Sequence, residues 1–535
     1  MGLSHWDEFY FIETAAWNLN ASHGFFQAYD PPIFPFILSV IFSVFGIHDY
    51  VAIAASEVSA LFLCALTFWW TRREFDFSTA IVSVLILAST SIFIYYAKMA
   101  LSDMTYTLFF SATIFAYHDA IKKNDNLRFL VAGTLLACTI GVKYTGFQPL
   151  LVILIFVILS CLPSLRGRER GKRNFSYVRE LSNDLAKLWL SIAPVLVFLA
   201  VFLLYLAQPF PLLAGRASLT GGIIRNLAQG LNYLIFTVYP LKSGEVSPQF
   251  FVSVDFYGNV VAEFVGVLVV AFATVGVMTG IFKRHVNTLL LFTWAMLVFV
   301  FFASLPGGWP RVILPMTVPI SILAAMGCLR CAGVTARFFS VSTLRTVRKS
   351  KLNALIRVSF ILLIILVHLY SSFPAVTDAH FGYREAAEFI SSNLPNRVVF
   401  YRTQPVLLVY LDNSGAHSLM VTGIPLLNQS YAVVLDFIAE ESPDYAKIQA
   451  RVSEMTLVAR INNDVPSLNM LDSMSFNALR QGDPDRTSIR IYIQLSTAWS
   501  PSSTQSLTFP KPTAEPVLFQ VGIVSRSSRS VSPRR

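Results

Sequence analysis

The chain has 535 residues, 55% of them hydrophobic and only 13% charged, and its mean hydropathy is +0.59. Soluble proteins carry about 25% charged residues, so half that charge over this length excludes an ordinary cytosolic enzyme, a disordered protein and a nucleic-acid-binding module. The net charge of +10, from 41 Lys plus Arg against 31 Asp plus Glu, matters through its placement, because cytoplasmic loops collect Lys and Arg.

These numbers predict an α-helical polytopic membrane protein embedded in a lipid bilayer. The chain opens Met-Gly-Leu-Ser-His-Trp-Asp-Glu, without the basic n-region and apolar core of a signal peptide. A spanning helix needs about 20 mostly apolar residues. The stretch 31–46 (PPIFPFILSVIFSVFG) is short for that and reads as an interfacial or re-entrant helix, with Pro31 and Pro32 near its start. Ten predicted spans follow, at about 49–70, 77–97, 104–121, 127–142, 145–162, 188–207, 258–282, 288–304, 311–330 and 354–373.

Alternate connections carry Arg72-Arg73, then Lys122-Lys123 with Arg128, then RGRERGKR at 166–173, then Lys283-Arg284, then the basic run from Arg330 to Arg357. With ten spans all five clusters fall on one side, which the positive-inside rule makes cytoplasmic. Both termini are then expected outside, together with residues 1–30, the 208–256 loop and everything after Phe373. That assigns 1–48 to an external segment with interfacial helices and 49–373 to the membrane domain.

Beyond Phe373 charge returns and apolar runs shorten. RVVFYRT and VLLVYL read as strands and YREAAEFISSNL as a helix ahead of Pro395, so 374–500 is predicted to be a small extracytoplasmic α/β domain. The Ser- and Arg-rich stretch 501–535 reads as a disordered tail. The five cysteines all lie in or beside apolar segments, and the Cys328–Cys331 spacing without nearby histidines reads as packing rather than metal binding.

A few ionisable residues stand apart. Asp7 and Glu8 sit among Trp6, Phe9, Tyr10, Phe11 and Trp17, either as part of a solvated loop or as carboxylates held at the membrane interface. A carboxylate held there has a raised pKa and can act as a base. Asp103, at the junction of the second and third spans, is either the cap of a helix start, with Ser102, or a functional acid. Lys143 in TIGVKYTGFQPL and Arg311 in GGWPRVILPMTVPI are isolated cations on the side that should be poor in them. Each is either a snorkelling side chain or an anion ligand; Arg can grip a phosphate with a planar fork and Lys with a point charge. Carboxylates and cations gathered at one membrane face suit a phosphate-bearing lipid substrate attacked by a hydroxyl.

The order of five motifs carries a resemblance. WDEFYFIETAAWNLNASHGFF, AYDPPIFPFILSVIFSVFG, YYAKMALSDMTYTLFF, GVKYTGF and PRVILPMTVPISILAAMG resemble the GT-C fold glycosyltransferases, specifically the superfamily of dolichyl-phosphate-mannose–protein mannosyltransferases and lipid A aminoarabinose transferases. The likeness runs over about residues 6 to 330. It implies transfer of a sugar from a polyprenyl-phosphate-linked donor to a hydroxyl acceptor (protein, lipid or glycan) on the non-cytoplasmic face of a plasma or ER-type membrane. Asp7 occupies the position of the acceptor-activating aspartate, Glu8 that of its partner, Asp103 the second acidic position, and Lys143 the lysine that approaches the carrier phosphate. Asp30 stands where some members place a metal-associated carboxylate, which makes a divalent metal the candidate cofactor.

Two departures stand out. Family members have a span before the Asp-Glu loop, whereas six residues precede Asp7 here, so an upstream first span is expected to be missing. Asp30 also precedes Pro31 directly, where relatives often have Glu-Lys or Lys. The alternative to an enzyme is a transporter or flippase of a lipid-linked substrate. Such proteins hold their binding groups near the bilayer midplane and commonly show repeats, so the depth of the charged residues separates the two.

Overall fold

A computed structural model describes residues 6–19, 31–160, 187–206, 249–282, 285–303, 309–340, 355, 358–359, 361–370, 383–393, 398–402, 407, 411, 418–420, 431–435, 445–461 and 489–494. The predicted 166–173 run, Lys283-Arg284, Asp30 and the 501–535 tail lie outside them. The chain divides into two compact units, Thr14–Val376 and Met1–Glu13 with Thr377–Arg535.

The first unit is helical. In chain order its elements are α1 (Trp6–Asn18, which begins in the other unit), α2 (Ile33–Phe45), α3 (Asp49–Glu74), α4 (Phe77–Ser89), α5 (Ser91–Ala97), α6 (Ser102–Lys123), α7 (Asn126–Val142), α8 (Gln148–Ser160) and α9 (Ile192–Leu206). Then come α10 (Gln249–Val260), a π-helical turn Val261–Gly266, α11 (Val267–Phe282), α12 (Val286–Ala303), α13 (Leu314–Ser340) and α14 (Ile361–Tyr370). Helix thus lies within each of the ten predicted spans. Among the described residues four helices are long and apolar enough to cross a membrane: Asp49–Glu74, Val254–Phe282, Val286–Ala303 and Pro310–Ala336. A bent pair, α4 with α5, makes a fifth if it crosses as one span.

That bend corrects the continuous span predicted over 77–97: the two halves meet at 68° around Thr90. No proline is present. Instead, Ser89 Oγ donates to the Ile86 carbonyl at 2.9 Å and Thr90 Oγ1 to the Leu87 carbonyl at 2.8 Å. Such back-bonding offers the last turn of α4 an alternative to continuing the ladder. Elsewhere local signals stop and start helices as physics requires. Asp76 caps α4 by accepting from the Thr79 amide at 2.9 Å, and Asn124, left-handed at φ 54°, ends α6.

Helix α6 is the buried axis of this unit. Hydroxyls tie its start to α3: Ser56 Oγ donates to the Leu101 carbonyl at 3.1 Å, and the Ser59 and Thr105 hydroxyls are hydrogen-bonded at 2.9 Å. Small residues bring other helices together, with Gly276 of α11 facing the backbone of α13 at Leu323 and Gly327 facing that of α11 at Phe272.

The second unit contains α15 (Tyr383–Asn393), β1 (Val398–Arg402), β2 (Ser418–Met420), β3 (Tyr431–Leu435), α16 (Tyr445–Val452), β4 (Thr456–Ile461) and β5 (Ile489–Gln494). The sheet order is β2-β1-β3-β5-β4, with β1 parallel to β2 and β3, and β5 antiparallel to β3 and β4. Ala432, Val433, Val434 and Leu435 are all buried, as expected of a central strand covered on both faces. Helix α15 buries Tyr383, Ala386, Ala387 and Ile390, the i, i+3, i+4, i+7 stripe of an amphipathic helix. One prediction fails here. Of VLLVYL only Leu407 and Leu411 are among the described residues, and both are helical and buried rather than extended. Their i, i+4 spacing fits one helix face, and a short apolar run does not by its period distinguish strand from helix.

Candidate active site

The site is built where α6 begins and α7 ends. The N-cap position of α6 is Leu101, which has no side-chain cap, so Ser102 and Asp103 are already inside the first turn. The capping role weighed for them is therefore wrong, and the Asp103 carboxylate is available for something else. Opposite, α7 stops at Val142 and Lys143 is extended at φ −154°, ψ 132°. A 3₁₀ turn, Tyr144–Phe147, then reverses the chain into α8. Gly146 makes that reversal possible, since any Cβ there would strike the Thr139 backbone in the last turn of α7.

This geometry delivers Lys143 Nζ to within 2.5 Å of Asp103 Oδ1. The carboxylate is buried, with its side chain 2% exposed, while the lysine side chain is 22% exposed. Tyr106, one turn along α6, completes the arrangement. The Lys143 ammonium lies 5.6 Å from the centre of its ring, a favourable place for a cation. The Tyr106 hydroxyl donates to the Thr145 carbonyl and accepts from Thr145 Oγ1, both at 3.3 Å. One face of α6 thus holds both the charge of Lys143 and the turn that follows it.

The premise that Lys143 is a lone cation needing a bound anion is corrected: its anion in this structure is Asp103. Arg311 is half-buried in the 3₁₀ turn Pro310–Ile313. Asp7 and Glu8 lie in the first turn of α1, in the other compact unit. The segment is a helix and not a solvated loop, with Glu8 and Glu13 buried and Asp7 half-buried. The structure therefore joins two of the predicted site residues, Asp103 and Lys143. Asp30 lies outside the described residues, among which no group of three or more His, Cys, Asp or Glu side chains is placed to hold a metal.

Sequence reasoning missed Tyr106 and Thr145, although the signal was present. Tyr106 lies three residues after Asp103, on the same helix face, and Thr145 two residues after Lys143. It also missed a second charged assembly at the other end of α6. There Glu74, its side chain 1% exposed, accepts from Arg73 Nε at 3.0 Å and Lys122 Nζ at 2.9 Å. Asn287 Nδ2 donates to Glu74 at 3.1 Å, and Asn287 Oδ1 is hydrogen-bonded to His118 Nε2 at 3.0 Å. Asp119 pairs with Arg73 at 3.0 Å and with Arg128. At 1.5 Å per residue, Asp103 and Lys122 are about 28 Å apart along the axis of α6. The Asp103–Lys143 pair and the basic assembly thus lie at opposite ends of one helix.

Comparison with known proteins gives three findings. Residues 29–168, which include Asp103 and Lys143, match the model of the dolichyl-phosphate-mannose-protein mannosyltransferase family. Comparison with curated protein sequences finds no match. Among solved structures, the chain is similar to ArnT from Cupriavidus metallidurans in the apo state, at a TM-score of 0.57 and 14% identity over 94% of this chain and 95% of that one. The same ArnT bound to undecaprenyl phosphate gives 0.54 and 14% over the same shares. The oligosaccharyltransferase AglB from Archaeoglobus fulgidus, in complex with an inhibitory peptide and a dolichol-phosphate, gives 0.49 and 12% over 84% of this chain and 65% of that one.

Proposed function

We propose that this chain, which shares the GT-C fold of the similar ArnT structure and matches the protein-mannosyltransferase family model over residues 29–168, transfers a sugar from a polyprenyl-phosphate carrier to a hydroxyl acceptor. The observation that carries this reading is the Asp103–Lys143 pair, inside the segment that matches the mannosyltransferase family. The undecaprenyl phosphate bound to the similar ArnT supports the carrier class. The position of the pair favours an enzyme over a transporter, because it sits where α6 begins and α7 ends rather than at mid-helix. The basic residues Arg73, Lys122 and Arg128 at the far end of α6 support an extracytoplasmic site by the positive-inside rule.

In the reaction, Lys143 and Arg311 hold the carrier phosphate and lower the charge it presents as a leaving group. The bond from the anomeric carbon to the phosphate oxygen breaks, and its electron pair leaves with polyprenyl phosphate. The acceptor oxygen forms the new bond from the opposite face, inverting the anomeric centre, and its proton passes to a carboxylate base, the role proposed for Asp7 with Glu8 as its partner in sequence. Such general-base help is worth about 10²–10⁴-fold in rate. Before the carrier binds, Asp103 is the ion-pair partner of Lys143.

The test is incubation of purified protein with a panel of polyprenyl-phosphate sugars and a hydroxyl acceptor. Release of polyprenyl phosphate together with a glycosylated acceptor is the expected result. A panel that yields neither product, with protein that remains folded, contradicts the proposal.

A further inference from the structure

We propose that Asp103 and the carrier phosphate compete for the single ammonium of Lys143, so that the carrier enters by displacing Asp103 and leaves when Asp103 takes the lysine back. This rests on the carrier-phosphate reading of Lys143 given above. Among the described residues Lys143 is the one ion-pair partner of Asp103, and Asp103 the one ion-pair partner of Lys143. The buried member of the pair is the carboxylate and the more exposed member is the lysine, so an incoming anion meets the cation first. An ammonium is a compact charge on a flexible stem and can change partners by rotating its side chain. Tyr106 keeps the charge in place during such an exchange. Its ring lies 5.6 Å from the ammonium, and its hydroxyl holds the turn at Thr145, independently of the carboxylate.

Two anions on one ammonium repel each other, so a nearby Asp103 weakens phosphate binding. The repulsion differs between substrate and product. The donor is a phosphodiester with one negative charge. Polyprenyl phosphate is a monoester whose second ionisation lies near pH 6, giving it a charge of about −1.5 to −2 at neutral pH. The carboxylate therefore opposes the product more than the donor, which favours release once the sugar has gone.

The test measures binding of undecaprenyl phosphate to the purified full chain, as wild type, Asp103→Asn, Lys143→Met and the double variant. A charged hydrogen bond freed for the ligand predicts that Asp103→Asn binds about tenfold tighter than wild type. Lys143→Met binds more weakly than wild type, and adding Asp103→Asn to it gives no tightening, because the contested cation is gone. If Asp103→Asn does not fold, Asp103→Ser, a residue suited to a helix's first turn, must show the same sign. Equal or weaker binding by Asp103→Asn, with Lys143→Met still impaired, overturns the competition alone and leaves Asp103 as a support for the lysine. Wild type and Lys143→Met binding alike, or neither binding, overturns both the competition and the carrier-phosphate reading.

Discussion

The crossing of α11 and α13 offers a stability prediction that can be worked from the structure. A Cβ built on Gly276 falls on the Leu323 carbonyl oxygen, and one built on Gly327 falls on that of Phe272, both inside the 3.0 Å that real Cβ atoms do not breach. Ordinary contact begins at 3.4 Å, so either Gly→Ala substitution forces the helices apart by about 1 Å or more. The obstacles are backbone carbonyls, which cannot rotate away as a side chain would. Overpacking of this kind costs about 1–3 kcal/mol, and immobile obstacles place it at the upper end. Alanine recovers about 1 kcal/mol of helix propensity, leaving a net loss of about 2 kcal/mol for either Gly276→Ala or Gly327→Ala. Because the first substitution already opens the crossing, the double variant should lose less than the sum of the two. Thermal midpoints in detergent, read as the fraction of monodisperse protein after heating, measure this. Two single variants with wild-type midpoints would show that these backbones do not meet at the glycines.

Glu74→Gln should lower the thermal midpoint by an amount equivalent to about 1 kcal/mol, since Lys122 and Arg73 remain partly solvated and Arg73 keeps Asp119. Arg73→Gln should cost more, because it leaves the buried Glu74 and Asp119 carboxylates each one cation short. Asp7→Asn removes basicity at nearly constant size, so turnover should fall by about 10²–10⁴-fold while undecaprenyl phosphate binding is retained; normal turnover would move the base elsewhere. Arg311→Met should weaken binding of the lipid donor more than that of the acceptor, and an unchanged donor affinity would return Arg311 to a structural role. A cysteine at the exposed Tyr50, near the start of α3, should react with an impermeant thiol reagent added outside intact cells, and one at the exposed Leu127 should not. The reverse pattern would invert the proposed orientation.

The apolar runs made the membrane-spanning helices legible, because a long stretch of apolar residues has few folded alternatives in lipid. What the runs hid were interruptions made by hydrogen bonds. Ser89 and Thr90 are ordinary residues in an apolar segment, and only their back-bonds to Ile86 and Leu87 reveal the bend. Asp103 and Lys143 were each visible as charges at span boundaries. Their pairing was not, because it joins residues 40 apart through the packing of α6, α7 and the turn over Gly146. Arg73 and Lys122 carried a signal about orientation that obscured a second role, as partners of the buried Glu74. Asn287 and His118, which complete that assembly, carry no charge pattern that would single them out. Helix α1 was obscured differently: adjacent carboxylates among aromatics read equally as loop or interface, and the burial of Glu8 is set by packing.

The account turns on where the carrier phosphate binds. A structure of the full chain with undecaprenyl phosphate, determined in a lipid environment, measures this most directly. The account predicts a phosphate oxygen within ion-pair distance of Lys143 Nζ, with the Asp103 carboxylate no longer in contact with that nitrogen. A phosphate bound away from Lys143, with the Asp103–Lys143 pair intact at the 2.5 Å seen here, would contradict it.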